Sequence, residues 1–156
     1  MSHLIELARQ VRATTIEFVE DVPNDWLLWA PPGTSNHMMW HAGHSLWVQD
    51  CLCIERLSGR SELPDGWSDR FGMNCQPVAD TRDWPDRGEL LKLLRNQLDQ
   101  LVSLFNEHAD RLTHIGENID GQWDLTRGVI HGLHDEARHQ GEMYLLIKLR
   151  RGPIES

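Results

Sequence analysis

No uncharged apolar run in this sequence approaches the roughly 18 residues that a membrane-spanning helix needs, so no membrane association is expected. Cysteine is scarce and odd in number, at three, and Cys51-Leu52-Cys53 is too tight a pair for a framework disulfide. The three are therefore expected as reduced thiols of a cytoplasmic protein. The opening "MSHLIELARQ" has no basic region followed by an apolar core, so no signal peptide is expected. A basic stripe is missing as well. Arg9, Arg12, Arg56, Arg60, Lys148, Arg150 and Arg151 are scattered or terminal, and the formal net charge is −9. Phosphate binding needs concentrated positive charge, so nucleic acid is not an expected partner. Nor does any stretch alternate apolar and polar residues as a half-buried strand would.

What is present reads as helix. A chain of 156 residues with 40% hydrophobic and 25% charged content can bury one core, and residues 1–156 are read as a single domain. Leu4, Leu7, Ala8, Val11, Thr15 and Phe18 recur at helical steps in a first helix that stops by Pro23. "PNDWLLWAPPGTSN" reads as a structured loop, after which Thr34, Ser35 or Asn36 offers a cap for a second helix reaching about Gly59. Residues 61–85 carry Pro64, Gly66, Gly72, Pro77 and Pro85 and form a connection far longer than most, the kind that tends to carry function. Leu91, Leu94, Leu98, Leu101 and Phe105 make the seam of a third helix starting near Asp86. Asp124 or Thr126 caps a fourth that runs to about Arg150. The expected fold is all-α, a four-helix bundle with a long crossover loop between helices two and three.

The second helix carries the first chemical signal. In "NHMMWHAGHSLWVQD", His37, His41 and His44 stand at i, i+4 and i+7, within an arc of about 60° at about 100° per residue. Three buried imidazoles would each need a hydrogen-bond partner or a metal. Seven tryptophans stand against one tyrosine, and Trp26, Trp29, Trp40 and Trp47 cluster around this segment, as core filler or as the wall of a pocket.

The second signal is "HDEARHQGEMYLLIK", from His134 to Lys148. His134 and His139 point about 140° apart and cannot easily share an ion. Pairs that can are Asp135 with His139, Glu136 with His139, and His131 with His134 or Asp135. Asp135 with His139 offers a carboxylate and an imidazole on one face, which a histidine of the second helix could complete as a three-ligand site with an open position. The competing reading is a solvated helix face on which Asp135 and Glu136 pair with Arg138 and His139.

Together these stretches resemble the DinB-like superfamily of metal-dependent proteins. Asn36, His44, Gln49 and Asp50 match the register of its second-helix motif. "DEARHQGEMYLL" resembles its closing helix, and "WSDRFG" at Trp67–Gly72 looks like the crossover of relatives. The likeness covers nearly the whole chain. It implies a divalent metal, zinc or nickel or else iron, held by His44, Asp135 and His139. Many members have histidine where Asp135 stands; others, such as mycothiol-dependent maleylpyruvate isomerase, have a carboxylate there. His134 is then a neighbour, while His41 and His37 line the pocket or support a ligand from behind.

Characterised relatives include transferases that use low-molecular-weight thiols. The resemblance therefore implies a metal-dependent thiol S-transferase, with a low-molecular-weight thiol at the metal and a small-molecule substrate under Trp40, Trp47 and the 61–85 loop. His41 and Glu142 are candidates for moving protons. The alternatives are a metal-dependent hydrolase on the same site, and a non-catalytic bundle braced by its metal, such as a stress-associated binding protein. A homodimer is expected, as the family often forms one.

Overall fold

The computed structural model describes residues 2–73, 75, 77, 84–113, 115–116 and 124–152. The elements are α1 (Ser2–Asp21), α2 (Met38–Gln49), α3 (Glu55–Ser58), α4 (Trp67–Phe71), α5 (Arg87–Glu107) and α6 (Leu125–Arg151). The chain is all-α and its long helices form a bundle, with no strand among the described residues. No described helix is long and apolar enough to cross a membrane.

Helix ends follow local chemistry. Asp86 Oδ1 accepts the Glu89 N–H at 2.7 Å to start α5, and Asp124 Oδ2 accepts the Arg127 N–H at 3.1 Å to start α6. The second helix is capped differently from expectation. His37 takes the extended conformation before α2, and its Nδ1 accepts the Trp40 N–H at 3.1 Å. Thr34, Ser35 and Asn36 come one to three residues too early for that role: the Thr34 hydroxyl donates to the Pro31 carbonyl and the Ser35 hydroxyl to Asn36 Oδ1.

The second helix is also not uniform. Between α2 and α3 the backbone opens into a π-helical turn at Asp50–Ile54. Buried Asp50 then accepts bonds from the Ser61 hydroxyl and the Glu62 N–H, tying the start of the crossover to the helix. Gly59, at φ 86°, ends the segment in the left-handed region where a side chain would be strained.

Helix α6 packs on α2, while α1 packs on α5 and α6. One apolar cluster gathers Val19, Leu46, Phe71, Leu94 and Met143; a second gathers Ile5, Ile54, Leu101, Phe105 and Val129. Between the helices lies a polar knot that the sequence reading missed. Arg12 of α1 forks onto Glu136 of α6 through Nε to Oε1 at 2.9 Å and Nη2 to Oε2 at 3.0 Å. Thr15 and Gln49 donate to the same carboxylate, and Gln97 of α5 accepts from Arg12 at 2.9 Å. All five side chains are buried. The Glu136 carboxylate thus ties α1 and α2 to α6, and Arg12 brings in α5 through Gln97, so the knot spans the four long helices.

The 61–85 connection is not wholly loop: α4 lies inside it, and positions 74, 76 and 78–83 fall outside the described residues. Helix α4 docks on α2 at Gly43. The Phe71 ring fills the place where a side chain on Gly43 would stand, and Trp67 Nε1 donates to the Gly43 carbonyl at 3.0 Å.

Candidate metal centre

The three histidines of the second helix have three different environments. His37 caps α2 and packs edge-on against Trp84, with its Nε2 buried and unpartnered. It is not one of the three residues whose ligand atoms converge below. His41 Nδ1 lies 2.8 Å from His139 Nδ1. His44 Nδ1 lies 2.6 Å from the Phe71 carbonyl oxygen. A carbonyl only accepts, so Nδ1 of His44 carries the proton and Nε2 keeps a lone pair.

That lone pair faces α6. Asp135 Oδ2 is 3.9 Å from His44 Nε2 and 3.4 Å from His139 Nε2. One ligand atom from each of the three residues falls within 4.8 Å of the others. Bonds of about 2.1 Å to one tetrahedral ion set ligand atoms about 3.4 Å apart. The Asp135–His139 edge already has that length, and the edge to His44 is slightly longer. Asp135 Oδ2 is buried and accepts no hydrogen bond. A desolvated carboxylate oxygen aimed between two imidazole nitrogens, with nothing donating to it, is in the position of a metal ligand. The donor set, two neutral nitrogens and one anionic oxygen, suits a divalent transition ion.

Protonation states agree. Burial would raise the Asp135 pKa, but His139, His44 and His131 outweigh it and hold it below the usual carboxylate value. Burial lowers that of His44, against the opposing pull of the Phe71 carbonyl. His41 falls to about 3, through burial first and then its neighbours His139, His37 and His44. At neutral pH the carboxylate is therefore charged and these imidazoles of α2 are neutral, as ligation requires.

Around the triad, Trp40 stacks on His44 with ring centres 4.5 Å apart, and Trp47 sits 5.4 Å from the same imidazole. Trp40 is buried behind His44, whereas Trp47 lines a cleft of about 800 Å³ whose wall also includes His44 and Asp135. His41, His139, Asn36 and exposed Glu142 line a second, smaller cleft of about 370 Å³. His134 is exposed and pairs edge-on with His131. Glu136, one of the possible partners of His139, turns to Arg12 instead.

Residues 7–143 match the DinB superfamily. The chain belongs to that superfamily. Among solved structures, a conserved protein from Enterococcus faecalis is similar in fold, at 17% identity and a TM-score of 0.62, over 97% of each chain. At that identity the likeness is one of fold. No curated protein matches the chain. Gln49 and Asp50, which carried part of the resemblance, serve the architecture: Gln49 bonds Glu136 and Asp50 anchors the crossover.

Several contributors had little or no signal in the sequence. The Phe71 carbonyl is a backbone atom and leaves no residue-type trace. Gly43 was visible as a small residue between two histidines, without showing what would occupy its place. Arg12 did leave a trace, being a charged residue four after Ala8 on the apolar face of α1.

Proposed function

We propose that this DinB-superfamily protein is a divalent-metal-dependent transferase that takes a low-molecular-weight thiol at the metal and a small electrophilic substrate in the adjoining cleft. The observation that carries the reading is the buried, unpartnered Oδ2 of Asp135 between the Nε2 atoms of His44 and His139, at the wall of a cleft of about 800 Å³. His44, Asp135 and His139 would hold the ion. A bound divalent ion supplies a positive centre that lowers the pKa of a coordinated thiol and favours its thiolate.

The chain's own residues do the rest. The Phe71 carbonyl holds the His44 ring in one tautomer, and His41 shares one proton with His139 across their Nδ1 atoms. Trp40 closes the back of His44 against water. Trp47, Val48 and Leu52 give the cleft an apolar wall. The protein's own Cys51 lines the same cleft, but burial raises its pKa to about 11. It stays a thiol at neutral pH and is a poor nucleophile, which leaves that part to an incoming thiol.

The test is elemental analysis of protein purified without a metal-affinity tag, followed by cobalt substitution. About one divalent ion per chain is expected, lost in His44→Ala. Cysteine or glutathione should then shift the visible bands of the cobalt protein. Full metal content in His44→Ala would remove the ligand set, and bands indifferent to every thiol would leave water, and hydrolysis, as the chemistry.

A further inference from the structure

The large cleft has a polarity that the metal site alone does not explain. Arg138 stands three residues after Asp135, about 4.5 Å further along the axis of α6, and its side chain lines the same cleft. It is exposed, and among the described residues it makes no ion pair or hydrogen bond. Arg56 lines the facing wall, already held at 3.4 Å by the Asp124 carbonyl. Among the described residues the carboxylates of the lining are Glu55 and Asp135, set against the guanidinium groups of Arg56 and Arg138. A divalent ion on the triad would tip this described lining toward positive charge, on a chain whose formal charge is −9. Trp47, Val48, Leu52 and Met73 give the wall its apolar part, and His131 lines it as well.

We infer that the cleft selects small organic anions, with the reacting end at the triad, a carboxylate on Arg138 and an apolar middle along Trp47 and Leu52. The inference rests on the metal-dependent reading above and names its substrate class. Three features support it. Arg138 offers a planar fork of donors that matches a carboxylate. Its distance from Asp135, about one helical turn, sets the anion back several bonds from the reacting atom. The chain as a whole carries a formal charge of −9, so a cleft made positive by a bound ion would stand out on it as an attractor for anions. Arg56 contributes charge and shape; Arg138 makes the contact.

The experiment uses cobalt-loaded full-length protein and two matched pairs of probes. Succinic monohydroxamate and its uncharged amide analogue anchor on a metal without any thiol; 3-mercaptopropionate and 3-mercaptopropionamide anchor through sulfur. Affinities are read from the visible bands and by calorimetry. In each pair that binds, the carboxylate form is expected to bind about tenfold tighter or more. That preference should vanish in Arg138→Gln and partly survive in Arg138→Lys, with cobalt content unchanged in both. Equal affinities within the hydroxamate pair, or a preference untouched in Arg138→Gln, would overturn the inference. Thiols that leave the bands unmoved while the hydroxamates still discriminate would overturn the thiol reading and leave the anion selectivity standing. Protein that takes up no cobalt would overturn both.

Discussion

The carbonyl oxygen of Phe71 lies 2.6 Å from Nδ1 of His44, so the crossover segment decides which nitrogen of that imidazole carries a proton. A backbone atom from α4 thereby controls a side chain on α2, and it reaches it only because Gly43 leaves room for the Phe71 ring.

Gly43→Ala is expected to push Phe71 and α4 off α2. Overpacking of this kind costs about 1–3 kcal/mol. Loss of the carbonyl behind His44 should lower metal affinity about 10- to 100-fold. Competition with a chelating indicator measures the second effect and urea unfolding the first. Lowered stability with full metal affinity would show that His44 is oriented without the carbonyl.

Stability should fall in mild acid, and His37 is one identifiable cause. Burial lowers its pKa from 6.5 to about 4, against an opposing backbone hydrogen bond, and the imidazole is only 2% exposed. Between those values the unfolded chain holds a proton that the folded chain refuses, so stability is full above about pH 6.5 and declines as pH drops toward 4. The shift corresponds to roughly 3 kcal/mol. His37→Asn keeps an acceptor at the cap but cannot titrate. Denaturant midpoints between pH 7.5 and 4.5 should slope less in that variant, and an identical slope would remove His37 from the account.

Arg12→Met leaves Glu136 as an uncompensated buried charge and should cost about 3–5 kcal/mol. The double variant Arg12→Met, Glu136→Leu removes both charges and should recover part of that loss. Urea titration of the three proteins checks it. A double variant no better than the single one would mean that the knot stabilises through Thr15, Gln49 and Gln97 rather than by charge pairing.

Removing metal should leave the helices in place. Helix α6 lies against the second helix through packing at Gly132, where a side chain would meet Cys53 and Gln49, and through the Gln49–Glu136 bond. Circular dichroism after chelation is expected to show unchanged helix content, with stability reduced only by the lost binding energy. Loss of helix on chelation would favour a metal that braces the bundle.

Much of this protein was legible along the chain. The apolar steps from Leu91 to Phe105 dictate a helix with one buried face, and Asp86 and Asp124 start helices because their carboxylates reach free amides within one turn. Asp135 and His139 share a face because four residues make about one turn of helix. These are local matters, decided by period and by neighbours a few residues away. Tertiary structure decided the rest. Nothing in the spacing distinguished His44 from His41 or His37, since all three lie on one stripe. Their roles diverge only because Asp135, His139 and Phe71 arrive from other segments. Glu136 and Asp135 are adjacent and chemically alike, yet a helix turns them about 100° apart, one toward Arg12 and one toward the imidazoles. The sequence by itself determined which side chains could share a face. Only the packing of α2, α4 and α6 decided which of them meet, because contact between distant segments depends on what each helix finds across its interface.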